Sequence, residues 1–235
     1  GGVEYLITLG TTGETPTLEK QEKKDIVTYT FEKVGGRVPV VVGVGGNNTN
    51  EVVKDLSYFP LDKAAAVLSA APYYNKPSQE GIFQHYKAVA EASILPIILY
   101  NVPGRTGVNM LASTTLRLAK EVKNIIAVKE ASGNFDQFNE IAANKPEGFD
   151  LISGDDPVTV PMIAIGAVGV ISVIGNALPL QTSEMVRKAL NGDYKGALPA
   201  HYSLLEFTKL CFIEGNPAGV KAGMKALGLC EEVLR

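Results

Sequence analysis

Seven short apolar runs, rich in β-branched residues, recur along this 235-residue chain at residues 5–10, 38–45, 65–72, 96–102, 125–130, 150–154 and 168–175. Within them the apolar residues are nearly continuous instead of alternating with polar ones, the pattern of parallel strands buried on both faces. The segments between them have helical spacing. Residues 18–33 form one such segment, entered through Thr15-Pro16-Thr17. Residues 78–92 form another, with Ser78 as N-cap and Ile82, Tyr86, Val89 and Ala90 on one side. Residues 112–122 carry Leu116, Leu118, Ala119 and Val122 on an apolar side. Strand, loop and helix thus repeat about every 25–35 residues, the rhythm of βαβ units.

That rhythm predicts an α/β fold, and the number of strands favours a (β/α)8 TIM barrel with a C-terminal helical extension. A doubly wound sheet is the alternative, but no G-x-G-x-x-G or G-x-x-x-x-G-K-[ST] follows any run. Seven strands leave a barrel one short. The first strand and its helix are therefore expected upstream of Gly1, and the sequence reads as a trimmed piece of a longer protein. Residues 1–178 are assigned to the barrel lacking its first strand. Residues 179–235 are assigned to a C-terminal helical region, with helices over 180–190, 193–212 and 219–227.

Composition narrows the function classes. Hydrophobic residues make up 46% and charged residues 20%, enough apolar material for a sizeable core. The net charge of -3 is scattered, so neither nucleic acid nor an anionic membrane is an expected partner. No segment has the ~20 apolar residues of a membrane span. Cys211 and Cys230 are the only cysteines, which argues for a reducing compartment, the cytoplasm. His85 and His201 are expected on the surface, and no metal site is expected.

In a barrel, chemistry collects at the C-terminal ends of the strands. Four strand ends stand out. Gly10-Thr11-Thr12-Gly13-Glu14-Thr15 can offer amides and hydroxyls to a carboxylate or phosphate, although an ordinary turn would use the same glycines. Pro72-Tyr73-Tyr74-Asn75-Lys76-Pro77 is a stiff aromatic loop that, taken alone, reads as packing or an interface before it reads as a site. Tyr100 closes an apolar strand where a phenol can relay protons, and Arg105 on the next turn can clamp a carboxylate, although a core tyrosine and a solvated arginine would read the same. Lys129 ends the apolar run Ile126-Ala127-Val128. Lysine is seldom buried, and burial lowers its pKa towards the neutral amine that attacks carbonyls. The other reading of Lys129 places it one step past the strand, in water.

These motifs, in this order and spacing, resemble the pyruvate-dependent class I lyase and synthase family over residues 3–229. The resemblance implies that Lys129 forms a Schiff base with pyruvate. It implies a proton relay of Tyr100, Thr11 and Tyr74, with Tyr74 supplied by a neighbouring subunit of a homotetramer. Thr11 and Thr12 would hold the pyruvate carboxylate. Arg105 would bind the carboxylate of the second substrate, the Ile171 carbonyl would approach the amine, and Gly154 would line the substrate site. The Gly-Thr-Thr-Gly-Glu motif and the Arg105-Thr106-Gly107 turn resemble the members that condense pyruvate with L-aspartate 4-semialdehyde in lysine and diaminopimelate biosynthesis. The alternatives are an aldolase cleaving a 2-keto sugar acid such as N-acetylneuraminate, and a non-catalytic barrel that binds a keto acid. No cofactor is expected. In lysine-inhibited members the effector binds near positions matching Tyr73, Asn47 and Glu51. Lys23, standing where a histidine is frequent, implies weak or absent inhibition here.

Overall fold

The computed structural model describes residues 1–235. Six parallel strands form one sheet in sequential order: β1 (Leu6–Thr8), β2 (Val40–Gly43), β3 (Ala66–Ala70), β4 (Ile97–Asn101), β5 (Ile125–Glu130) and β6 (Asp150–Ser153). The intervening helices are α1 (Lys20–Val34), α2 (Thr49–Tyr58), α3 (Gln79–Ala92), the single turn α4 (Pro103–Thr106), α5 (Ala112–Glu121), α6 (Phe135–Asn144) and α7 (Thr159–Ala164). Three helices end the chain: α8 (Pro179–Leu190), α9 (Tyr194–Phe212) and α10 (Ala218–Ala226). No helix is long and apolar enough to cross a membrane.

Each strand divides its side chains between two layers, as a period of two requires. Val40, Val42, Val67, Ile97, Leu99, Val128 and Leu151 point outward into a cluster of 31 buried residues shared with the surrounding helices. Val41, Ala66, Leu68, Ile98, Tyr100, Ala127 and Ile152 belong to a separate inner cluster. Full burial of one Val, Leu, Ile or Phe stabilises by about 1.5–3 kcal/mol, so the outer layer carries most of the apolar stabilisation. A third cluster packs Val160, Ile163 and Ile174 against Met185, Ala197, Leu204 and Val220. It seats the C-terminal helices beside the end of β6.

Three sequence expectations are corrected. The seventh run is not a regular strand. It makes one bridge, Ser153 to Val170, although Val168 N donates to Leu151 O and Ile171 N to Ser153 O, both at 2.9 Å. Gly169, within this segment, takes φ +153°, outside the β region of other residues, and its carbonyl accepts from Ser153 N at 2.9 Å. His85 is buried, not on the surface: its Nδ1 lies 2.8 Å from Thr49 Oγ1 and joins α3 to α2. His201 is half-buried on α9. The start of α1 is capped by Glu19 and Glu22 in a reciprocal box, while Thr15–Thr17 forms a 3-10 turn ahead of it. Ser78 does cap α3, accepting from Gly81 N at 3.2 Å.

Candidate active site

A cavity of about 1330 Å3 opens at the C-terminal ends of the strands and continues down the inner face of the sheet. Its lining brings together Thr11, Thr12, Tyr100, Arg105, Lys129, Gly154 and Ile171, all singled out in the sequence. Its size exceeds the roughly 300–1,000 Å3 of ordinary small-molecule sites because it includes the interior.

Lys129 lies on β5 with its side chain inward, directly opposite Tyr100 on β4 in the ladder register. Both are buried, at 7% and 6% exposure, which excludes the solvated reading of Lys129. The Lys129 Nζ sits 4.0 Å from the centroid of the Tyr100 ring. On the other side, Lys129 pairs in register with Ile152 on β6. Gly154 follows β6, where a Cβ would stand 3.1 Å from Lys129 Cε and 2.8 Å from Ala131 Cβ. The residue is glycine because the lysine stem passes against its backbone.

Burial holds the Lys129 amine well below lysine's usual range. The Tyr100 side chain and Asp156 act the other way, and the Arg105 guanidinium adds a smaller downward push. Asp156 is itself pushed up by burial. It accepts from Ser172 Oγ at 2.5 Å and from Val173 N at 2.9 Å, which ties the segment after Ile171 to the end of β6. A lowered amine pKa raises the share of the neutral, nucleophilic form.

Thr11 and Thr12 sit on a 3-10 turn after β1. Thr12 Oγ1 accepts from Asn216 Nδ2 at 2.9 Å, and Arg105 Nη2 donates to Asn216 O at 3.3 Å. Asn216, between α9 and α10, therefore joins two site motifs from the C-terminal helices, and its buried Oδ1 has no partner. Glu14 is tied to the same region, with Lys221 Nζ 2.5 Å from its Oε1. Inspection of strand ends alone could not find Asn216. The adjacent Asp155-Asp156 pair at the end of β6 was a readable signal.

Two groups lie elsewhere. Tyr74 is 84% exposed and has φ +70°. It does not meet Lys129 within the chain. It lines a smaller polar hollow with Asn47, Asn48, Thr49, Asn50 and Asn75. Glu51, on α2, pairs with Lys54 at 2.7 Å, and Tyr73 is partly exposed.

Comparison with known proteins agrees with this geometry. The model of the Dihydrodipicolinate synthetase family matches residues 1–235. A protein of Phocaeicola vulgatus named 4-hydroxy-tetrahydrodipicolinate synthase is 58% identical over 234 residues, covering 100% of this chain and 79% of that protein. A Parabacteroides distasonis protein of the same name is 57% identical, with the same coverage. The crystal structure of dihydrodipicolinate synthase from Aquifex aeolicus superposes with a TM-score of 0.96 at 42% identity, covering 100% of this chain and 80% of that one. With its parallel α/β sheet and a buried lysine at the strand ends, the chain belongs to the dihydrodipicolinate synthetase family.

Proposed function

We propose that Lys129 is the amine through which this chain acts as a 4-hydroxy-tetrahydrodipicolinate synthase, condensing pyruvate with L-aspartate 4-semialdehyde. The observation that carries this assignment is the buried Lys129 amine beside Tyr100, at the strand ends of a large cavity. The neutral amine attacks the pyruvate ketone, and the carbinolamine loses water to give a protonated imine. The imine withdraws electrons, a methyl proton leaves, and an enamine forms. The enamine carbon then attacks the aldehyde of the second substrate. That substrate's own amine adds to the imine carbon, expels Lys129 and closes the ring. Protons move at several steps, which suits the Tyr100 phenol and the Thr11 hydroxyl.

In this reading Thr11 and Thr12 hold the pyruvate carboxylate. Ile171 and Gly154 border the imine, and Arg105 meets the carboxylate of the semialdehyde at the mouth. Tyr74, turned away from its own cavity, serves a neighbouring copy in a homotetramer built as a dimer of dimers. Tyr73, Asn47 and Glu51 belong to an effector region, and a cation at Lys23, where a histidine is frequent in the family, disfavours lysine. Residues 1–178 are read as a (β/α)8 barrel lacking its first strand, with residues 179–235 as the helical region. Leu6–Thr8 at one border of the sheet and the segment from Val168 to Ile171 beyond the other line the same cavity. The cytoplasm is the compartment that suits the reaction.

A coupled assay with pyruvate and L-aspartate 4-semialdehyde tests the assignment. The expected result is turnover that needs both substrates. Cleavage of N-acetylneuraminate without reaction of the semialdehyde would contradict it.

A further inference from the structure

A second constellation lies directly behind the catalytic pair. Tyr100 and Lys129 face inward, so their chain neighbours Asn101 and Glu130 face outward, and these too are register partners. Both are fully buried. Asn101 Nδ2 donates to Glu130 Oε1 at 3.0 Å and Oε2 at 3.1 Å. Gln137 Nε2, on α6, donates to Glu130 Oε2 at 2.8 Å, and Ser132 N donates to Oε1 at 2.9 Å. Asn109 closes the ring: it accepts from Asn101 Nδ2 at 2.8 Å and donates to Gln137 Oε1 at 2.9 Å. Burial pushes the Glu130 carboxyl above its usual range, and the hydrogen bonds from Asn101, Gln137 and Ser132 act against that push; every partner is a donor, so the acceptor-only carboxylate is the form that satisfies them. A buried carboxylate without such partners would be strongly destabilising.

We propose that Glu130 is a positioning residue for the condensation: its carboxylate, clasped by Asn101, Gln137 and Ser132, locks the ends of β4 and β5 together and so keeps the Tyr100 phenol beside the Lys129 amine. The proposal rests on the reading of Lys129 as the imine-forming residue. The link is short and mechanical. A slip at the Asn101–Glu130 rung moves the adjacent Tyr100–Lys129 rung with it, and small misplacements of reacting groups cost large factors in rate.

Glu130→Gln keeps the shape of the side chain but sets an amide NH2 against the donors that surround it. In the folded variant kcat is expected to fall by at least ~10-fold, with KM for pyruvate within ~3-fold of the native value. The rising limb of kcat/KM for pyruvate is expected to move to higher pH, because a loosened pair admits water and relieves the desolvation that depresses the amine. Asn101→Asp combined with Glu130→Gln restores one carboxylate–amide rung and is expected to recover part of the lost kcat. Gln137→Met removes one donor from outside the cavity and decides the matter if Glu130→Gln does not fold. It is expected to lower kcat with the same shift of pH profile.

Borohydride trapping with pyruvate, run on native and variant protein, separates the two levels of inference. A native adduct on Lys129, together with unchanged kcat and pH profile in the folded Glu130→Gln and Gln137→Met variants, overturns the positioning role alone. A double variant no better than Glu130→Gln also counts against it. No native adduct on Lys129 removes the reading beneath it and the proposal as well.

Discussion

Tyr100 and Lys129 occupy one rung of the β4–β5 ladder, with the lysine Nζ 4.0 Å from the tyrosine ring centroid. Register partners share a face of the sheet, so the phenol and the amine enter the cavity side by side without help from any loop. Strand positions are stiffer than loop positions, which suits a pair that must exchange protons at a fixed distance.

Tyr100→Phe keeps the ring over the amine and removes only the hydroxyl. A positioned proton-transfer group contributes about 10²–10⁴-fold, so a loss in that range is expected in kcat. Steady-state kinetics with both substrates check this. Full activity would show that protons travel by another route.

Arg105 is exposed at the cavity mouth, held only through its contact with Asn216 O. A charge-assisted hydrogen bond contributes about 1.5–3 kcal/mol, and ~1.4 kcal/mol is a factor of ten. Arg105→Ala is therefore expected to lower kcat/KM for the semialdehyde by about one to two powers of ten, with a much smaller effect on pyruvate. Equal behaviour of the two substrates would remove the clamp role.

Gly154→Ala tests how tightly the lysine stem is held. The added methyl meets Ala131 Cβ at 2.8 Å and both Glu130 O and Lys129 Cε at 3.1 Å. Overpacking of this kind costs about 1–3 kcal/mol, and here it displaces the reacting side chain. Thermal unfolding and kcat should fall together. A native-like Tm with native kcat would show that the lysine has room to move.

His85 supplies a pH dependence of stability. Burial lowers its pKa from 6.5 to about 4. As pH falls through that window the unfolded chain takes up the proton first, so the folded state loses stability, by up to about 3 kcal/mol for this group. Above pH 6.5 the penalty is absent. Urea unfolding at several pH values should show native protein losing more stability on acidification than His85→Gln. Identical acid dependence would place the effect elsewhere.

The parallel strands were legible because burial on both faces leaves a continuous apolar run, as at β4. The segment near Val170 was harder: it is as apolar as the others but makes a single bridge to β6, and Gly169 within it holds a positive φ that composition does not reveal. Helices α2 and α6 were not singled out, although Asn48 and Asn134 cap them with their side chains. Their apolar faces are short, and the cap is the stronger signal. Lys129, Tyr100 and Arg105 were legible because they stand at strand ends. Asn216 and the Glu130 network were not. One reaches the site from a distant helix junction, and the other lies on the far face of the sheet, so both depend on tertiary placement.

Borohydride reduction in the presence of pyruvate, followed by peptide mass mapping, tests the central claim most directly. The expected product is a single pyruvate-derived adduct on the peptide containing Lys129, abolished in Lys129→Arg, whose guanidinium stays protonated and cannot form the imine. An adduct on another lysine, or none at all from protein that turns over both substrates, would contradict it.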